Sequence, residues 1–325
     1  PGAGQPPPPV LLPPNPRSPP AASGGTDAIA AAAPGAPPAN GPAGPPPPGA
    51  LDWPRIDRIA RRSRAGAAVL AEVLVYLTTP CPTAHRRLGH LKAAVDLWSR
   101  AGRCAAAWAP HYRQCWSVVE RAMVDLPRRR KVVVLGSGLV RDVPVAKLAA
   151  AFETVLLVDA IHLSIVRLRL ARHRNVVLVT RDLAGLAPDG RPSGDPLAEF
   201  AADPEVDLVV SANLLSQIPL AYEDLAAAHT IATLPQPDAI GPVLVAGHLA
   251  GLAGFRGRVC LLTDTEQRTV DRAGRVLETV DLIGGHRLPV PDACWTWTLA
   301  PFGEDGPEHE LVHAVVGYVD FNRAL

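Results

Sequence analysis

The chain is poor in several things that would fix its class at once. Aromatic residues make up only 5% of its 325 positions, and methionine occurs once, at Met123. Charge of neither sign prevails. The formal net charge is +1, which gives no electrostatic case for nucleic acid or an anionic membrane surface. The one basic run, Arg128 to Lys131, reads as the solvated start of a strand rather than a phosphate patch. No apolar run reaches the roughly eighteen residues a membrane helix needs. The N-terminal residues lack a basic region followed by an apolar core, so a cytoplasmic protein is expected. Cysteines number five, at positions 81, 104, 115, 260 and 294. An odd count with no knuckle spacing points to reduced thiols and no metal site. Cys115 stands four residues after His111, on the same helical face; a packed core thiol is the expected role, ahead of a catalytic pair.

Proline is abundant but unevenly placed. Half of the 36 prolines fall in residues 1–50, with only Arg17 and Asp27 charged there. Proline removes backbone donors and fixes φ, so this segment is expected to be a disordered, unpacked arm. Helical periodicity is expected from Asp52-Trp53-Pro54 onward, with Ile56, Ile59, Ala60, Ala67, Leu70, Val73, Leu74 and Leu77 inward. A second helix follows Thr83, with Leu88, Leu91, Val95 and Trp98 inward and Gly102 past its end. A third opens at Pro110 and runs through Trp116 to Met123. Residues 51–127 thus read as a helical cap.

From Lys131 the pattern changes. KVVVLG, TVLLVD, NVVLVT, VDLVVSA and RVCLLTD are short β-branched runs, apolar on both faces, as in a parallel sheet covered on both sides. Helical patterns lie between them at 144–152, 161–173, 220–232 and 241–253. This alternation predicts a doubly wound α/β domain over 128–325. CWTWTLAP and LVHAVVGYVDF lie too close together for a crossover helix and are expected to pair antiparallel.

The first of these strands runs into Gly136-Ser137-Gly138. Glycines at a strand's carboxyl end permit a sharp turn and close approach of a ligand. The next strand ends at Asp159, whose carboxylate offers two acceptors to the vicinal hydroxyls of a ribose. The one after ends near Asp182, placed to accept from an exocyclic amine. Together they point to a nucleoside site. A dinucleotide fingerprint would add a third glycine where Arg141 stands.

These motifs resemble those of the class I S-adenosylmethionine-dependent methyltransferases, over roughly 130–325. VVVLGSG is similar to that family's first motif, VLLVDA to its second, VTRDL to its third and VDLVVSANLLSQIP to its fourth. The resemblance implies a mostly parallel seven-stranded sheet closed by an antiparallel C-terminal hairpin, with S-adenosyl-L-methionine as cofactor. It implies that Gly136, Ser137 and Gly138 approach the cofactor and that Asp159 holds the ribose. Ala160 or Ile161 would lie against the adenine, Asp182 and the Leu183 N–H would meet its edge, and Asn213 would face the methyl group or its acceptor. Two positions depart from the family. Val134 replaces an acidic residue and Val140 a glycine, both at the methionine end; Arg141 and Asp142 are placed to compensate. For a general base the candidates are His111, His248, Asp264, Glu266 and His286, with His111 and Asp264 favoured beside Asn213. The fourth motif lacks an Asn-Pro-Pro-aromatic run, which argues against methylation of adenine amines. Trp295 and Trp297 share a strand face, as a pocket wall or as core. The acceptor, a small molecule or a protein, is not identified by the sequence, nor is the oligomeric state. A methyltransferase-fold protein that binds a partner without catalysis is the alternative, and an NAD(P)-dependent oxidoreductase a third reading.

Overall fold

The computed structural model describes residues 69–185, 194–220, 222 and 237–325, with the backbone alone at 237–239. The proline-rich arm, the expected helix start at Asp52 and most of the 220–232 pattern lie outside the described residues. The elements described below all belong to the unit that spans Pro54–Leu325.

The cap holds α1 (residues 69–78), α2 (Thr83–Arg87), α3 (His90–Arg103) and α4 (Ala105–Ala122). Three expectations need correction here. Leu70, Val73, Leu74 and Leu77 are exposed rather than inward, while Val75 and Thr79 are buried. The end of α1 is held by polar contacts instead: the Thr79 hydroxyl donates to Val75 and accepts the Ser164 N–H. The second helix breaks at Gly89, which adopts φ +80, and resumes through Gly102. The third begins at Ala105, so Pro110 sits inside α4. Only the carbonyl one turn earlier loses a partner there, and the six buried side chains of α4 outweigh that loss.

The strands are β1 (Lys131–Leu135), β2 (Thr154–Asp159), β3 (Val176–Thr180), β4 (Val206–Ala212), β5 (Arg258–Asp271), β6 (Val276–Asp281), β7 (Ala293–Ala300) and β8 (His309–Tyr318). Between them lie α5 (Val145–Ala151), α6 (Ser164–Leu170), α7 (Ala198–Ala202) and α8 (Pro237–Ala253), and α9 (Phe321–Ala324) closes the chain. One sheet runs β3-β2-β1-β4-β5-β8-β7, with β6 attached to β5. The first five strands are parallel through their shared lengths, whereas β8 is antiparallel to both β5 and β7. Eight strands form, not seven. The RVCLLTD run does not stop at Asp264; it continues to Asp271, turns at Gly274 (φ +78) and returns as β6.

Alternation along β1 shows how the layers form. Val132 and Val134 face a cluster with Trp108, Cys115, Leu148 and Val166, that is, with α4, α5 and α6. Val133 and Leu135 face Phe200, Leu252 and Phe321, from α7, α8 and α9. The sheet is therefore covered on both faces, and the cap shares one core with it. Burying such runs on both sides is what makes near-continuous apolar strands stable.

Candidate functional site

The strand order reverses between β1 and β4, which are neighbours although β2 and β3 intervene in sequence. At such a switch point the loops leaving the two carboxyl ends part in opposite directions and open a crevice. The loop after β1 carries Gly136-Ser137-Gly138; the loop after β4 begins at Asn213.

The glycine turn is tied to β2. The N–H groups of Gly136 and Ser137 both donate to Val158, at 3.0 and 3.2 Å. Gly138 donates to the Asp159 carboxylate at 2.6 Å, and Ile161 N–H donates to its other oxygen. Burial raises the Asp159 carboxyl, and these backbone donors work against that rise. No cation pairs with it among the described residues. His162, close by and itself held below the usual imidazole range by burial, donates through Nε2 to Val179. Asp159 thus presents a positioned carboxylate with acceptor capacity left over.

The two glycines serve different ends. Gly138 (φ +45) leaves open space where a Cβ would be, apart from one backbone oxygen at 3.9 Å. A Cβ on Gly136 (φ +71) would lie 2.8 Å from the Leu214 Cβ. Gly136 is therefore demanded by the loop after β4, not by ligand space. Val140 adopts φ +51 and Asn213 φ +49. A β-branched residue in that region is a rare, strained choice. It follows that the backbone keeps a glycine's shape at Val140 without the glycine.

The far end of the crevice is covered by the cap. His85 Nδ1 donates to the Ala160 carbonyl at 2.7 Å, and His90 Nε2 lies 3.2 Å from Asp182 Oδ2. Ala184 N–H donates to the other Asp182 oxygen. Burial pushes the Asp182 carboxyl up, but the His90 and Ala184 hydrogen bonds outweigh it and bring it below its ordinary value. Leu183 is a core residue.

Beyond β4, Asn213 Nδ2 donates to Asp142 at 2.8 Å and lies 3.4 Å from His111 Nε2. Trp295 Nε1 donates to His111 Nδ1 at 3.1 Å, and Trp297 stacks on the imidazole at 4.0 Å. An indole nitrogen only donates, so Nδ1 is an acceptor and Nε2 carries the proton of the neutral ring. Burial lowers His111 to about 4, which keeps it neutral with its basic nitrogen already engaged. Cys115 lies 3.5 Å from Nε2, but burial raises its thiol well above the usual range, so this is a packed contact and not an activated nucleophile.

The remaining base candidates scatter. Asp264, within β5 rather than past its end, accepts from the Ser216 hydroxyl and pairs with His313. His313 also meets Gln267 at 3.0 Å and stands edge-on to Trp297. His248 lies inside α8 against Ser211, His286 donates to the Pro242 carbonyl, and Glu266 pairs with Arg268 on the β5–β6 ribbon. Asn213, His111 and Asp264 are thus linked through stacked rings, whereas His248, His286 and Glu266 are not part of that group. Sequence reasoning did not single out His85, His90, Ser216 or His313. His85, His90 and His313 stand in no motif, and only the packing of the cap and of β8 brings them to the rim; Ser216 lies within the fourth motif, but nothing in the sequence pairs it with Asp264.

An open groove of about 510 Å³ lies elsewhere, at the sheet edge where β5 begins, lined by Arg121, Arg258 and Arg323 with Asp125, Asp292 and Asp320. Its charges balance, and no glycine turn opens into it.

The parallel strands in this order, closed by an antiparallel β8 inserted between β5 and β7, carry the crevice at their switch point. The sheet is doubly wound and mostly parallel and is closed by an antiparallel hairpin, as the sequence resemblance implied. No family model matches the chain, and no curated protein does either. Among solved structures it is similar to an N-methyltransferase from Bradyrhizobium japonicum WM9 in complex with S-adenosyl-L-homocysteine, at 12% identity and TM-score 0.32, over 63% of this chain and 86% of that one. It is also similar to a Burkholderia thailandensis 1,6-didemethyltoxoflavin N1-methyltransferase, at 16% identity and TM-score 0.34, over 74% and 92%. An rRNA methylase from Streptococcus thermophilus aligns at 14% identity and TM-score 0.30, over 62% and 95%. Superpositions this loose add nothing to what strand order and register establish.

Whether an adenosyl cofactor suits these residues is decided by the crevice itself. A ribose would meet the positioned carboxylate of Asp159, with which no cation pairs among the described residues, beside open space at Gly138. An amino-acid arm would meet Ser137 Oγ and Asn213 Oδ1, both buried without hydrogen-bond partners, a costly state that a ligand relieves. A nucleobase would have to lie against His85 and His90, which already engage polar groups, or move them.

Proposed function

We propose that the chain is an S-adenosylmethionine-dependent methyltransferase. The observation that carries this is the Asp159 carboxylate, fixed by the Gly138 N–H at the switch point and left without a cation, in position for a ribose diol. When bound, the cofactor supplies an activated methyl group. The chain's own part is to hold the ribose through Asp159, to close the crevice with α2 and α3, and to wall the methyl end with Asn213, His111 and Trp295 so that water is excluded. The imidazole is neutral and its Nδ1 is occupied, and Asp264 already accepts from Ser216 and pairs with His313. That arrangement favours an acceptor bringing its own lone pair, such as an amine nitrogen, over a hydroxyl that must first be deprotonated.

Dinucleotide chemistry is less well supported. The first helix after the turn starts at Val145, seven residues past Gly138 (145 − 138), so no helix N-terminus meets a pyrophosphate at the glycines. A non-catalytic binding role is favoured by one observation, the His90 contact on Asp182. Native mass spectrometry of freshly purified protein, together with thermal melting in S-adenosylhomocysteine, tests the proposal. A bound adenosyl species and a rise in Tm of several degrees at ligand well above Kd are expected. A flat Tm at millimolar ligand would remove the cofactor, and with it the function.

A further inference from the structure

The first motif lacks its acidic residue: Val134 is fully buried in the apolar cluster shared with Cys115 and Trp108. An acid there would face the core. Eight residues on (142 − 134), the same loop brings a different carboxylate to the crevice. Asp142 receives the Asn213 amide at 2.8 Å, and no cation pairs with it among the described residues. Its sequence neighbour Arg141 turns away and donates to the Ala101 carbonyl at 3.1 Å. Burial raises the Asp142 carboxyl to about 6, and the nearby Asp159 carboxylate adds to the rise. Asp142 and Asp159 each receive hydrogen bonds from neutral donors alone, the Asn213 amide on the one and the Gly138 and Ile161 N–H groups on the other. Neutral donors compensate a buried negative charge poorly; a cation does so well. The same Asn213 side chain whose nitrogen binds Asp142 has its oxygen buried and without a partner. A carboxylate and an orphan amide oxygen side by side are the acceptors that an ammonium group, with its three donors, requires. Asn213 is held in the left-handed region by its N–H bond to Leu262 across to β5, so its side chain is placed by the sheet and not by the ligand.

We propose that Asp142, with the Asn213 side-chain oxygen, binds the α-ammonium of the cofactor's amino-acid arm, in place of the acid absent at Val134. This rests on the cofactor reading above and assigns the residue that distinguishes the whole cofactor from its nucleoside half. The chain then selects ligands by the charge of that arm.

Titration calorimetry with three ligands tests it: S-adenosylhomocysteine, its des-amino analogue, and 5′-methylthioadenosine, which lacks the amino-acid arm. The wild-type chain is expected to bind S-adenosylhomocysteine at least about ten-fold more tightly than the des-amino analogue. Asp142→Asn, nearly isosteric, is expected to lose that preference while its affinity for 5′-methylthioadenosine stays unchanged. Equal wild-type affinity for S-adenosylhomocysteine and the des-amino analogue overturns the assignment without any variant, so a poorly folded Asp142→Asn does not protect it. Equal loss of all three ligands in a folded Asp142→Asn overturns it too. Binding of none of them by the wild type overturns the cofactor reading itself.

Discussion

Val140 and Gly136 show how far a single residue can be judged from its motif. The loss of a glycine at Val140 suggests a reshaped loop, yet the backbone there keeps φ +51 and the turn closes by a 2.8 Å bond from Val140 N–H to Ser137. The strain is carried, not avoided. Val140→Gly is expected to raise stability by about 1 kcal/mol, the relief of a left-handed β-branched residue net of glycine's extra freedom when unfolded. Chemical denaturation would show it as a higher midpoint at constant slope. Gly136 runs the other way. The sequence reading gave Gly136 to the close approach of a ligand, whereas the approach the structure shows is to Leu214, 78 positions later (214 − 136) in the loop of another strand. Gly136→Ala is expected to cost about 2–4 kcal/mol, from the collision with the Leu214 Cβ and the positive φ together. A loss of ligand binding with the melting curve unchanged would mean instead that the glycine serves the crevice.

Among the elements, the parallel strands were the most legible, because burial on both faces writes a continuous apolar run. The ribbon of distal β5 and β6 was not. All six residues of β6 are exposed, so neither face is coded by hydrophobicity, and Thr263-Asp264-Thr265-Glu266 reads as a polar strand end. The cap was legible as helix but not in its breaks. Nothing in the spacing shows that α2 and α3 place His85 and His90 over the rim. That placement has a kinetic consequence. His90→Ala removes one contact on Asp182 that is part-exposed, so stability should change by about 0.5–1 kcal/mol at most. S-adenosylhomocysteine should associate several-fold faster, as followed by stopped-flow tryptophan fluorescence. An unchanged rate would show that α3 lines the nucleobase without gating it.

For the molecule as a whole, buried titratable groups set the response to pH. His111 and His248 are both brought down to about 4 by burial, from an ordinary value of 6.5. The folded chain then binds fewer protons than the unfolded one between those values. Their contribution is present above 6.5 and is lost as pH falls towards 4. Asp142, raised from 3.8 to about 6, acts oppositely and disfavours the folded state as pH rises across that window. Among these three groups the two histidines outweigh Asp142, so their combined contribution falls as pH drops from 7 to 4. His248→Gln should flatten that slope in urea titrations at several pH values; an unaltered slope would place the proton uptake elsewhere. None of this was visible in the sequence, where the ten histidines look alike and only packing separates the buried ones.

The indole of Trp108 donates to Leu299, 191 positions away, and His111 meets Trp295 across 184. During synthesis α4 emerges long before the strand that covers it. The side of α4 that meets Trp295 and Leu299 stays uncovered until β7 has been made, although β1 packs against the same helix much earlier. Truncation before β7 would therefore yield an insoluble fragment held by chaperones rather than a smaller folded protein.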